Sequence, residues 1–124
     1  MELDTPYVHL CIKNKILVGT YKKNLRIDLE VAKEIVSARQ TFTGTEKFAT
    51  LIISQGVISI NREAREYLAS PEATVGLSAS AIVVNTLFSS FLGNFFLAVN
   101  QATIPVKIFA NTIDAEKWLQ QFIT

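Results

Sequence analysis

The sequence predicts an α/β protein. The expected architecture is a mixed, mostly parallel five-stranded sheet in the order β-β-α-β-α-β-α-β-α, its first strand antiparallel, as one domain over residues 1–124. Three observations predict it. Five short stretches are apolar in alternation or continuously, and helical stripes separate all but the first two. Only Lys13, Asn14 and Lys15 divide that first pair, a gap that permits a hairpin and no crossover. The chain of 124 residues, 49% hydrophobic and 19% charged, suits a packed core rather than disorder.

In the first strand, "YVHLCI", Val8, Leu10 and Ile12 share one face, with Tyr7, His9 and Cys11 on the other. "ILVGTY" follows as the second strand. In "IDLEVAKEIVSARQTF", Asp28 stands where it can accept from the first free helical amides. Leu29, Ala32, Ile35 and Val36 form the helix's apolar stripe, and Thr43 and Gly44 stop it. "ATLIIS" is nearly all apolar, which suits a strand covered on both faces. "ISQGVISINREAR" then reads as a loop entering a short helix at Ser59 to Asn61, with an Asn cap and with Pro71 beyond the helix end. "ASAIVVN" is a further covered strand. "PVKIFA" is the last, its proline at the first position where a missing N–H does least harm. Asn111 or Thr112 caps a closing helix with Ala115, Trp118, Leu119 and Phe122 as its stripe. Strands alternating with helices imply right-handed parallel crossovers.

No charged residue or histidine occurs between Glu72 and Lys107. Residues 81–99 are long enough for a membrane span, but Asn85, Thr86, Ser89, Ser90, Gly93 and Asn94 interrupt them and no cationic flank marks the ends. A strand followed by a helix over 86–100 is the better reading. On that helix Leu87, Phe88, Phe91, Leu92, Phe95, Phe96 and Val99 share one half of the circumference. Ser90, Gly93, Asn94 and Leu97 share the other, where Lys and Glu are usual on a solvated face. The plain interpretation is a well-buried helix; the sharper one is a self-association or ligand-covering face.

Candidate chemistry is sparse. His9 and Cys11 lie two apart on one strand face, without the further ligands a metal needs or the orienting group a nucleophile needs. No metal site or cofactor is therefore expected. The five glycines form no phosphate-binding loop, and no G-x-S-x-G elbow occurs. Lys13, Lys15, Lys22, Lys23 and Arg26 divide between the two ends of the second strand, so they make no continuous anion patch. With a net charge of +1 and no aromatic platform beside a basic stripe, nucleic acid is not an expected partner. A single cysteine and an acidic N-terminus lacking an apolar run point to the cytoplasm.

Over nearly its whole length the pattern resembles the STAS superfamily, the bacterial anti-sigma-factor antagonists and related SpoIIAA-like domains. The resemblance rests on the element order, on "ILVGTYKKNLRIDLEVAKEIVSA" and on "ATLIISQGVISINREAREYL". The ending "IPVKIFANTIDAEKWLQQF" is similar to a subset of small, uncharacterised bacterial relatives. The resemblance implies a non-enzymatic regulatory module that binds a protein partner, often switched by phosphorylation at the second helix's start. Where that family carries Asp-Ser-Ser-Gly, this chain has Ser59-Ile60-Asn61-Arg62, and Ser59 is the hydroxyl best placed for such a switch or for a partner loop. Some relatives are thought to bind apolar ligands or membrane surfaces. The expectation is thus a protein-interaction module, dimeric through Ser90, Gly93, Asn94 and Leu97. The alternative is a carrier or sensor of an apolar small molecule or membrane surface, held by Phe88, Phe91, Phe95 and Trp118.

Overall fold

The computed structural model describes residues 1–84 and 102–123. Six strands form one sheet in the order β1-β2-β3-β5-β7-β8. They are β1 (Glu2–Asp4), β2 (Val8–Lys13), β3 (Ile16–Tyr21), β5 (Phe48–Ser54), β7 (Leu77–Val83) and β8 (Val106–Phe109). β1 and β2 pair antiparallel, β2 and β3 likewise, and the pairs from β3 to β8 are parallel. The five expected strands are therefore present as a mixed sheet whose first member runs antiparallel, and β1 is added at its edge.

The hairpin between β2 and β3 is tighter than the sequence suggested. Lys13 still pairs with Ile16, so Asn14 and Lys15 alone make the turn. Both have positive φ, 52° and 66°, the backbone of a two-residue turn whose twist matches its strands.

A second, parallel sheet pairs β4 (Leu25–Ile27) with β6 (Val57–Ile60). This corrects the reading of residues 57–60 as loop. The pairing partners are about thirty residues apart in sequence, and no local pattern announces them. Leu25, Ile27, Val57 and Ile60 are buried, so this small sheet extends the core.

Helix α1 (Leu29–Thr43) begins where Asp28 accepts a bond from Val31 N at 2.9 Å. It ends at Gly44, whose φ of 63° is costly for any residue with a Cβ. Helix α2 (Arg62–Leu68) is capped by Asn61, which accepts from Ala64 N at 2.9 Å. Pro71 does not merely follow α2: it opens α3 (Pro71–Thr74), capped by Ser70. Helix α4 (Thr112–Leu119) is capped by Asn111 and continues as a 3-10 turn, Gln120–Phe122.

The two sheet faces carry two cores. α1 and α2 cover Val8, Leu10, Tyr21, Ile52, Ile82 and Val84. α4 covers Ile16, Ala49, Leu51, Ala79, Ala81 and Val83 with Ala115 and Leu119. The predicted helix over 86–100, with Phe88, Phe91, Phe95, Ser90, Gly93, Asn94 and Leu97, lies outside the described residues. Among those described, no helix is long and apolar enough to cross a membrane.

Candidate functional site

On the α1–α3 side, alternation along the strands puts Leu17, Thr50, Ser80 and Val106 in one cross-strand row. Gly19, Ile52, Ile82 and Ile108 form the next row. Each row crosses β3, β5, β7 and β8, with neighbours about 4.8 Å apart. Gly19 has no side chain to fill its place; a Cβ there would stand 3.5 Å from Leu10 Cδ2, in ordinary contact. The consequence is space. A cavity of about 90 Å³ lies between this face and α2–α3, reaching Ala102 and Ile104. A smaller one, about 40 Å³, lies toward α1 and Gly19. Tyr21, Arg39, Ile52, Leu68 and Leu77 line both, so the two compartments adjoin across these side chains, and together they are the chamber.

The chamber's wall is apolar apart from a few groups. Ser80 lines the larger compartment and Thr50 the smaller. They are 5% and 4% exposed, and neither hydroxyl makes a hydrogen bond to protein. An unbonded buried hydroxyl costs on the order of 1–3 kcal/mol, and here two stand side by side in register.

Arg39 supplies the charge. Its Nη2 donates to the Ala73 carbonyl and, at 3.2 Å, to the Val75 carbonyl, clamping the end of α3 to α1. Gln40 Nε2 donates to Glu72 O at 3.2 Å and reinforces the clamp. Burial pulls the guanidinium below its usual value, and its neighbours are the phenols of Tyr21 and Tyr67 rather than a carboxylate. Burial pushes the Tyr21 phenol up, and Arg39 opposes that. The Thr74 and Thr103 hydroxyls share a 3.2 Å hydrogen bond, which ties α3 to the strand-side chain beside Ala102 and Ile104.

Among the described residues no Asp, Glu or His lines the chamber, so none of them serves Ser80 as the general base a reactive serine needs. Among the described residues no His, Cys, Asp and Glu group could hold a metal.

Those of the sequence-picked residues that the structure describes lie elsewhere. Ser59 sits on β6 opposite Arg26, Asn61 is committed to its cap, and Arg62 lies in solvent and pairs with Glu66 at 3.0 Å. Ser54 Oγ accepts from Val57 N at 3.2 Å within a turn. Trp118 is on the α4 side, between Phe109 and Phe122 at centroid distances of 5.8 and 4.9 Å. His9 does gain partners that its own strand hid: β1 brings Asp4 to 3.1 Å of Nδ1 and Glu2 to 3.4 Å of Nε2. Lys22 Nζ lies 2.8 Å from the same Asp4 oxygen. Lys22 first, then His9, hold the Asp4 carboxyl below its usual range.

Thr50, Ser80, Arg39 and Tyr21 were missed, though signals existed. Thr50 is the polar residue inside "ATLII", and Ser80 sits inside "ASAIVV". Arg39 falls three residues after Val36, on the continuation of α1's apolar stripe.

Comparison with known proteins adds the following. The family described as Domain of unknown function (DUF7793) matches residues 10–123. No curated protein matches. The structure is similar to an uncharacterised protein of the DUF3478 family with a SpoIIAA-like fold, from Shewanella loihica PV-4. The TM-score is 0.57 at 14% sequence identity, covering 96% of this chain and 98% of that one. At such identity the likeness speaks for the fold, which is SpoIIAA-like, as the resemblance implied.

Proposed function

The chain belongs to the DUF7793 family, and from that premise we propose that it is a non-enzymatic regulatory module in which a small ligand in the chamber sets how the protein meets a partner. The observation that carries this is the chamber itself: a largely apolar space with two unbonded buried hydroxyls in its wall. Natural interiors hold few such spaces, and buried polar groups without partners are uncommon. A ligand with an apolar body and one polar end would satisfy both features.

The chamber also stands at the root of the charge-free stretch. Val84 packs into the core beside it and Ala102 lines it, so the described residues on either side of 85–101 both lie at its wall. Their lack of charge suits an interface core. The reading therefore includes a dimer formed through Ser90, Gly93, Asn94 and Leu97, whose geometry responds to occupancy. It also keeps Ser59 as a modifiable partner contact on β6 and, on the single cysteine, a cytoplasmic setting.

The test uses the full chain. 1-Propanol, a neutral probe small enough for the chamber, raises the melting temperature of the wild type at millimolar concentration. Sedimentation finds a dimer for the wild type and a monomer for Leu97→Glu. If 1-propanol protects nothing, the ligand part is lost; a wild-type monomer at high concentration removes the self-association part.

A further inference from the structure

The geometry points to a short monocarboxylate with a compact apolar body as the chamber's ligand. This rests on the ligand-binding reading above and narrows it by charge and size.

Charge comes first. Arg39 lines both compartments and no carboxylate forms an ion pair with it among the described residues. Residues 85–101 contain no acid to supply one. A partly buried guanidinium is normally matched by an anion. Here its two bonds go to backbone carbonyls and both leave from Nη2. Nε and Nη1 retain donors for a further acceptor. A carboxylate oxygen takes such a bond at about twice the strength of a neutral one.

The hydroxyls come next. Thr50 and Ser80 are both over nine-tenths buried, unbonded to protein and adjacent across β5 and β7. A hydroxyl can donate as well as accept. Among the described residues, the polar side chains lining the two compartments are Arg39, Tyr21, Thr74, Ser80 and Thr50, with Ser80 in the larger and Thr50 in the smaller, and each can donate. None of these is a carboxylate, so an ammonium ligand would find no matching charge among them, whereas a carboxylate would.

Size sets the limit. An apolar cavity of about 150 Å³ holds benzene, with its six non-hydrogen atoms, so the 90 Å³ compartment admits about four and the two compartments together about five. That excludes a long acyl chain and fits two- and three-carbon acids. Ile52, Ile60, Leu68 and Ile82 supply the apolar contacts.

The experiment compares propionate, propionamide and 1-propanol on the full chain by calorimetry and thermal melting. Propionate binds about tenfold or more tighter than the amide, the difference expected for one charge-assisted bond. Arg39→Gln removes that preference and Arg39→Lys keeps part of it. Ser80→Ala, which breaks no protein hydrogen bond, leaves the free protein as stable as before or more so, yet weakens propionate several-fold. Should Arg39→Gln fail to fold, the Arg39→Lys and Ser80→Ala variants still decide. Equal binding of all three probes overturns the carboxylate assignment while the ligand-binding reading stands. No binding by any of them, with ordered water on Thr50 and Ser80, overturns both. Unchanged propionate affinity in Ser80→Ala overturns the placement.

Discussion

The two faces of one sheet are built to different rules. On the α4 side the strands present Ala49, Ala79 and Ala81, and Leu119 and Ala115 settle onto them with no exposure at all for Leu119. Small strand residues let the helix approach closely, and Phe109, Trp118 and Phe122 seal the edge. The α1–α3 side uses the same strands one residue out of phase and presents Gly19, Thr50 and Ser80 among its isoleucines. Ala32, Ile35 and Ala64 pack on that face, and Arg39 ties α1 to the backbone carbonyls at the end of α3. One face buys stability through dry contact; the other gives some of it up and gains a polar-floored space. The functional search belongs on the second face, because packing alone does not account for unbonded hydroxyls there.

The largest expected effect tests the dry face. Leu119→Ala empties the space beside Ala79 and Ala81 and should cost about 2–5 kcal/mol by denaturant unfolding. A loss below about 1 kcal/mol would mean that α4 relaxes easily and that the two faces are less distinct than described.

Next is the chamber floor. Thr50→Val removes a hydroxyl with no protein partner and should stabilise the free protein by about 1 kcal/mol. If it destabilises instead, the hydroxyl is satisfied and the contrast between the faces weakens.

A comparable change is expected at the chamber's wall. Asn61→Ala removes the α2 cap and should cost about 1 kcal/mol. Faster hydrogen exchange should be confined to α2 and α3, with α4 unaffected; exchange rising equally on both sides would show that the faces do not open separately.

The smallest effect is at the sheet edge, which belongs to neither face. Lys22 and His9 depress the Asp4 carboxyl. Its contribution is therefore complete above its unfolded value, near 3.8, and disappears as pH falls through the lower folded value. Amide exchange in β1 should accelerate over that acid window, and Asp4→Asn should abolish the pH dependence. A β1 that loosens equally in both proteins would remove this ion cluster from the account.

Much of this architecture was legible because it is local. Period and capping are properties of neighbouring residues, so Asp28, Asn61 and Gly44 could be assigned as helix ends before any contact was known, and the last cap narrowed to Asn111 or Thr112, of which Asn111 is the one. The edge strand β1 was harder, since three residues carry too little pattern. The pair β4–β6 was hidden because its hydrogen bonds join segments whose closeness depends on the whole crossover.

The sequence by itself determined the alternating α/β order, the antiparallel start and the absence of charge from 73 to 106, all of which follow from periodicity and composition. Only the tertiary structure decided that Thr50 and Ser80 face each other's strand without partners and that Arg39 overlooks the same space. The physical reason is register. Cross-strand neighbours come from distant parts of the chain, and whether a buried hydroxyl is satisfied depends on atoms that nothing in its own strand specifies.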